Sequence, residues 1–275
     1  MANKTIDFEK RNKNLKLIKE IYQNPEKYLV IHYSCESFIS DTQASPRITS
    51  IAIRNLESAQ TQLFSIYKIA EIKKIASDEI TKHYDELEEE LLRSFYEYLQ
   101  NKSEYKFIHW NMRDLNYGFQ AIEHRYKILG GTPPINIVGD DRKIDLARVL
   151  VALYGINYIN HPRMENLITL NNITNINFLT GAQEAEAFNS GNYLDLQRST
   201  LRKVDCMCNI LDRINGGYLK THTSLKDIYF SSVPAVINLI KEHFIFSLIT
   251  IIVTSVGMWN IIMWVINLIS NFFKH

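Results

Sequence analysis

Hydrophobic positions along the first half of the chain follow the two-residue period of β-strands in several short runs. Alternating or continuous apolar residues predict strands at 28–33 ("YLVIHY"), 48–54 ("ITSIAIR"), 62–67 ("QLFSIY"), 106–110 ("KFIHW") and 135–138 ("INIV"). The polar turn "NLESAQ" between the second and third runs predicts that these two strands are antiparallel neighbours.

Between and after these runs, apolar residues recur every three or four positions, which predicts helices. Helices are expected at 1–27, 77–100, 111–129, 143–155 and from 164 to about 214. "GGTPP" ends the third, and "NGG" ends the last. The order of elements predicts an α/β domain over 28–217, with a mixed five-stranded sheet flanked by helices.

The C-terminal part has a different pattern, because residues 244–273 contain no charged side chain. About 20 apolar residues suffice to cross a bilayer, so this run predicts a transmembrane segment, preceded by a connector helix at 218–243. A hairpin that breaks near 255–257 is the alternative, although each arm would be too short to cross. Because the N-terminus lacks the apolar core of a signal peptide, we expect a C-terminal tail anchor with the soluble domain in the cytoplasm.

Small and polar residues recur at three- and four-residue steps along this segment, on or near one helical face. Such a face favours close packing and hydrogen bonds between helices in lipid. We therefore expect a homo-oligomer or a partner protein to assemble through this face, whose main members are Thr250, Thr254, Gly257, Asn260 and Asn267.

Composition excludes several classes of protein. Lysine and arginine total 31 against 30 acidic residues, so any phosphate-binding surface must be local. The three cysteines, Cys35, Cys206 and Cys208, lack the number and spacing of a disulfide framework or a zinc site, which favours a reducing compartment.

Three carboxylates stand at positions that a central mixed sheet could bring together. Glu36 follows the first strand, Asp114 falls in the first turn of the helix after the fourth strand, and Asp205 lies in the last helix. Converging carboxylates hold hard cations, and paired Mg²⁺ or Mn²⁺ ions stabilise the attacking and leaving oxygens of phosphodiester cleavage. The pattern predicts a site for Mg²⁺ or Mn²⁺.

The region from about residue 26 to 214 resembles the DEDD exonucleases, a superfamily of 3′–5′ exonucleases with a ribonuclease-H-like fold. "YLVIHYSCESF" looks like its first motif, "KFIHWNMRD" contains a match to the strand and Asn-x-x-x-Asp-like second motif, and "KIDLARVL" is similar to its Asp-Thr-Leu segment. "STLRKVDCMCNIL" looks like the third motif. The resemblance implies that Glu36, Asp114 and Asp205 bind metal and act in catalysis.

Basic and amide side chains next to these motifs are candidates for contacts with a nucleic-acid phosphate. Asn111 occupies a motif position, Arg113 adjoins Asp114, and Arg202 and Lys203 precede Asp205. A solvated amphipathic helix face is the alternative explanation for the basic residues.

Two motif positions depart from the family pattern. Ser34 stands where the family has the Asp that bridges both metals, and Thr200 and Leu201 stand where it has a His or a Tyr as general base. None of these side chains replaces a charged bridging oxygen or accepts a proton near neutral pH.

Three functions follow from the pairing of this domain with a membrane segment. The first is a membrane-anchored, metal-dependent 3′–5′ exonuclease. The second is a catalytically degenerate module that senses nucleic acid or a nucleotide and signals to a self-associating membrane helix, as in a host-defence effector. The third is a plain anchor that localises a complex.

Overall fold

The structure, a computed structural model, describes residues 6–36, 46–113, 116–135, 137–224, 228 and 244–272, with side chains of the last segment described for 247–266. The chain divides into two compact units. One is Glu9–His222, and the other combines Met1–Phe8 with Thr223–His275.

The larger unit contains five strands and eight α-helices among its described residues. The strands are β1 Tyr28–Cys35, β2 Ile48–Asn55, β3 Thr61–Ser65, β4 Lys106–His109 and β5 Lys143–Asp145. The helices are α1 Phe8–Gln23, α2 Ile66–Lys73, α3 Tyr84–Gln100, α4 Phe119–Ile128, α5 Leu146–Tyr154, α6 Arg163–Leu170, α7 Gly181–Asn189 and α8 Tyr193–Asn215.

The strands form one mixed sheet in the order β3-β2-β1-β4-β5. The β2 strand is antiparallel to both β1 and β3, whereas β4 is parallel to β1 and β5 is parallel to β4. The predicted α/β class, the five-stranded mixed sheet and the antiparallel pair of second and third strands are confirmed. Every residue of the central strand β1 is buried, which explains its nearly continuous apolar sequence.

Alternate residues of β1 enter two different cores, one on each face of the sheet. Tyr28 and Val30 pack with residues of α1, α5, α6 and α8. Leu29, Ile31 and Tyr33 pack with residues of α2, α3 and α4. The helices therefore cover both faces, and only the edges and ends of the sheet can carry an open site.

The predicted fifth strand at 135–138 is wrong. Ile135 is 97% exposed and lies in a turn, and Ile137 and Val138 lie in a bend. The preceding residues Pro133 and Pro134 cannot donate ladder hydrogen bonds, whereas "KID" pairs with β4 in the register Phe107↔Lys143 to His109↔Asp145. The helix expected at 143–155 therefore begins at Leu146 rather than at Lys143.

The helix predicted for 111–129 is shorter than expected, because α4 begins only at Phe119. Asn111 has a φ of +56°, a left-handed conformation that a right-handed helix cannot contain. Arg113 forms an isolated antiparallel bridge to Gly118. At Gly118 a Cβ atom would lie 2.7 Å from the Met112 carbonyl carbon, so only glycine allows this close approach.

The main described element of the second unit is helix α9, Phe244–Phe272. Its stretch Ser247–Ile266 has a mean hydropathy of 2.0, and none of it is buried. Among the described residues, this helix has the length and composition to cross a membrane, as predicted. The connector helix predicted for 218–243 lies largely outside the described residues.

Candidate functional site

The C-terminal ends of β1, β4 and β5 lie at the same edge of the sheet, because the three strands are parallel neighbours. This edge carries the residues that follow "YLVIHY", "KFIH" and "KID". It is the edge at which the sequence predicts the first two motifs.

A cluster of buried hydroxyl groups lies where α8 crosses β1 and β2. Ser34 pairs with Ser50 across the two strands, and Thr200 of α8 lies against both. Thr200 Oγ1 is 2.7 Å from Ser34 Oγ, 2.7 Å from Ser50 Oγ and 2.9 Å from the Leu196 carbonyl oxygen, so Ser34 Oγ and this carbonyl compete for its single proton. We call Ser34, Ser50, Ser199 and Thr200 the hydroxyl cluster.

A β-bulge fixes Ser34 in this position. The pairing between β1 and β2 shifts between Ser34 and Cys35, so that Thr49 is the extra residue on β2. The Thr49 hydroxyl donates to the Ser34 carbonyl at 3.0 Å.

A carboxylate from a different element contacts the hydroxyl cluster. Glu184 of α7 accepts hydrogen bonds through Oε1 from Ser34 Oγ at 3.0 Å and Ser199 Oγ at 2.9 Å. The Lys203 ammonium lies 2.6 Å from the same oxygen, and its side chain is only 9% exposed. The carboxylate is therefore compensated by a buried cation and by hydroxyl donors.

Sequence reasoning missed Glu184. The signal that marks its helix is the capping box of Thr180 and Gln183, in which each side chain bonds the backbone of the other residue. This signal places Glu184 in the first turn of α7, but it does not reveal that α7 packs beside Ser34.

Two further titratable side chains beside Ser34, Cys35 and His32, are uncharged at neutral pH. Burial raises the pKa of the Cys35 thiol well above its usual value, so this cysteine is no nucleophile. Burial and, to a lesser degree, the Lys203 charge lower the pKa of His32 well below its usual value. The Tyr117 hydroxyl lies 3.3 Å from His32 Nδ1 and donates to the Tyr33 carbonyl at 3.1 Å.

The predicted metal ligands Glu36 and Asp205 have different partners. Glu36 Oε2 accepts from the Arg47 backbone N–H at 3.4 Å. Asp205 is paired with Arg54, which is aligned with Val30, and with Arg202 at 3.5 Å. The third predicted ligand, Asp114, lies outside the described residues.

These surroundings test how well the described residues fit a pair of Mg²⁺ or Mn²⁺ ions. Ser34 is a neutral hydroxyl, Glu184 is paired with Lys203, and Asp205 is paired with two arginines. Within the described ranges, no three His, Cys, Asp or Glu side chains form a group that could hold a metal ion. The described residues do not fit a two-metal centre, and metal binding through Asp114 stays a prediction.

The four predicted substrate contacts fall into two groups. Asn111 and Arg113 lie together at the end of β4, where Arg113 Nη2 donates to Asn111 Oδ1 at 2.8 Å. Arg202 donates through Nε to the Ile176 carbonyl at 2.8 Å, and Lys203 is buried against Glu184. Contact of any of them with substrate stays a prediction.

Asp145 organises the end of β4. Its Oδ1 accepts from the Asn111 backbone N–H at 3.2 Å and caps α5 through the Ala147 N–H at 3.0 Å. Neighbouring His109 is buried, and its Nδ1 accepts from the Met112 N–H at 3.2 Å. Burial lowers the pKa of His109 to about 4, so this imidazole is neutral at physiological pH.

No family model matches this chain, and no curated protein or solved structure matches it significantly. The DEDD resemblance therefore rests on the motif residues and on the order of the elements.

Proposed function

We propose that Glu9–His222 is a catalytically degenerate, ribonuclease-H-like domain that binds nucleic acid or a nucleotide without cleaving it, and that α9 holds it at a membrane. The observation that carries this proposal is the contact between Ser34 and Thr200. These residues replace the metal-bridging acid and the general base of the DEDD pattern, and they bond to each other within the hydroxyl cluster.

Sheet topology supports the fold assignment. The family pattern requires an antiparallel second and third strand and a later strand, reached through a helix, that carries the second motif. Here β2 and β3 are antiparallel, and α3 leads to β4, which lies parallel beside β1. The first and second motifs therefore share an edge, as an exonuclease-like ancestry demands.

Side-chain pairing supports binding rather than cleavage. Two acids at or beside the motif positions already have cationic partners, namely Lys203 for Glu184 and Arg54 and Arg202 for Asp205. In contrast, Asn111 and Arg113 are exposed at the sheet edge and can contact a ligand.

The membrane part of the proposal rests on α9. The stretch Ser247–Ile266 contains no charged residue and has a mean hydropathy of 2.0. Thr254 donates to the Thr250 carbonyl within its own helix at 2.8 Å, whereas the Asn260 carboxamide makes no hydrogen bond within the described chain. An unpaired carboxamide in hydrocarbon favours association with a second copy, which would pass a binding signal to the membrane.

The three cysteines are buried free thiols, which fits a domain on the cytoplasmic side. The finer prediction of a tail anchor stays a prediction.

One experiment separates binding from cleavage. Full-length protein in detergent is incubated with 5′-fluorescein-labelled single-stranded DNA and RNA in Mg²⁺ or Mn²⁺. Anisotropy reports binding, and denaturing gels report chain length. We expect saturable binding and intact strands for both the wild type and Asp114→Asn. Shortened products that disappear in Asp114→Asn would replace the proposal with a metal-dependent exonuclease, and absence of binding would refute both.

A further inference from the structure

The guanidinium of Arg113 is held from two sides. Its Nε lies 2.8 Å from Asp145 Oδ2, and its Nη2 donates to Asn111 Oδ1 at 2.8 Å. A guanidinium has five N–H donors, and within the described part of the chain these contacts leave at least three without a protein acceptor. The side chain is 38% exposed, so these donors are available to a ligand.

The two residues that hold Arg113 are themselves fixed. Asp145 is the N-cap of α5, and its side chain is only 7% exposed. Asn111 is held in the left-handed conformation, and its N–H bonds the other oxygen of Asp145. Arg113 is thus preorganised by its neighbours, which lowers the entropy cost of ordering a long side chain when a ligand binds.

A second arginine lies beside the same carboxylate. Arg148 Nε is 3.9 Å from Asp145 Oδ2, and the side chain is 72% exposed. Within the described residues it makes no hydrogen bond. Two guanidinium groups and one carboxylate leave a net positive charge among these three side chains, to which the neutral His109 adds nothing. The N-terminus of α5 adds a partial positive charge at the same place.

From this arrangement we infer that Arg113 and Arg148 bind a phosphate group, with Asn111 and Asp145 as positioning residues. The inference rests on the proposed function for its ligand class, which is the terminal phosphate of a nucleotide or of a nucleic-acid strand. Two guanidinium groups match the three free oxygens and the charge of nearly −2 of a phosphate monoester better than the two free oxygens and single charge of an internal phosphodiester. The site would therefore recognise a strand end.

The test uses full-length protein in detergent and fluorescence anisotropy. The probe is 5′-fluorescein hexathymidylate with a 3′-phosphate, compared with the same strand ending in a 3′-hydroxyl. We expect the 3′-phosphate strand to bind more tightly and inorganic phosphate to compete with it. Arg113→Gln and Arg113→Lys should each weaken binding of the 3′-phosphate strand about tenfold. Glutamine removes the charge, and lysine keeps the charge but lacks the paired N–H donors of the guanidinium.

Arg148→Gln should weaken the same binding about threefold, because this side chain is less fixed than Arg113. The matched control is Arg93→Gln, which removes an exposed arginine that is likewise paired with a carboxylate, Glu89 at 3.3 Å. It should leave the affinity within about twofold.

Asp145→Asn distinguishes a preorganised phosphate site from nonspecific electrostatic attraction of the strand. The substitution keeps an oxygen for the Asn111 and Ala147 N–H groups but removes the negative charge. If charge alone governed binding, this variant would bind the strand more tightly. Loss of the fixed Arg113 position predicts weaker binding, and tighter binding would overturn the inference.

The outcomes also separate this inference from the proposed function. If the wild type binds both strands and Arg113→Gln behaves like Arg93→Gln, nucleic-acid binding stands and the phosphate site is refuted. If the protein binds inorganic phosphate but no strand, and Arg113→Gln abolishes this binding, the phosphate site stands and the proposed binding of nucleic acid fails. Absence of binding to every probe refutes both.

Discussion

The Ser34 and Thr200 hydroxyl oxygens lie 2.7 Å apart, although 166 residues separate the two positions along the chain. Both residues are almost fully buried. The two departures from the exonuclease pattern are therefore one structural feature, since each hydroxyl supplies a partner for the other.

Placing the aspartate of the exonuclease pattern at position 34 should destabilise the protein. In Ser34→Asp, a second buried carboxylate would lie close to Glu184, with Lys203 as the nearest cation for both. We expect the free energy of unfolding to fall by about 3–5 kcal/mol, the usual cost of an uncompensated buried charge. Thermal melting followed by near-UV circular dichroism measures the change in full-length protein.

Ser34→Ala is the control, because it removes the hydroxyl without adding charge. Leaving its buried partners unsatisfied should cost about 1–3 kcal/mol. If Ser34→Asp melts at the wild-type temperature, the pocket around Ser34 accepts a carboxylate and the case for degeneracy fails.

Lys203 provides a second test, because a structural role and a substrate-binding role predict different results. As the partner of buried Glu184, it stabilises the fold, and Lys203→Met should lower the free energy of unfolding by about 3 kcal/mol. The double variant Lys203→Met with Glu184→Gln should recover a large part of this loss, since no unpaired charge remains. A variant that melts normally but binds oligonucleotide more weakly would instead identify Lys203 as a substrate contact.

Acid should destabilise the protein through His109. The pKa of this imidazole is about 4 in the folded chain, against about 6.5 when unfolded. Between these values the unfolded state binds more protons, so stability is lost as the pH falls from about 6.5 to 4, by roughly 3 kcal/mol.

Removing the titrating group should flatten this dependence. His109→Asn keeps an acceptor for the Met112 N–H and does not titrate. Melting temperatures between pH 7 and 4.5 should therefore fall less steeply in His109→Asn than in the wild type. His83→Gln, at a more exposed histidine, is the control for the loss of a histidine as such. Identical slopes for His109→Asn and the wild type would contradict the assigned pKa.

The membrane helix offers a paired comparison of polar residues. Asn260→Leu should shift the protein toward monomer in mild detergent, because it removes the carboxamide that lacks a partner within the helix. Thr254→Val should have little effect, since the Thr254 hydroxyl already bonds carbonyls of its own helix at 2.8 and 3.0 Å. Native mass measured by light scattering distinguishes the two. An unchanged mass in Asn260→Leu would remove this residue from the association face.

The sequence predicted the central sheet well, because β1 is buried on both faces and its pattern is correspondingly apolar. It failed at β5, where three residues, two of them charged, form a strand only because β4 offers free backbone groups. The more apolar "INIV" stays outside the sheet. Strand propensity was a weaker determinant there than the position of the neighbouring strand.

The candidate site could be predicted only in part, because it also depends on how the elements pack against one another. Motif spacing identified Ser34 and Thr200 as departures, but their contact depends on how α8 crosses the sheet. Glu184 carries no motif at all, and its relation to Ser34 appears only when α7 packs beside α8. Residues on separate elements form a site only through tertiary packing, and the local sequence pattern does not reveal that packing.

The length of α9 has a consequence for the choice of membrane. A helix of 29 residues is about 43 Å long, whereas its most apolar stretch, Ser247–Ile266, measures about 30 Å. The apolar stretch has the length of an average hydrocarbon core, and in a bilayer the excess at the ends would reach the headgroup layers. Thin bilayers would force the helix to tilt, and thicker, sterol-rich ones would accommodate it upright, so hydrophobic mismatch would sort this protein among membranes.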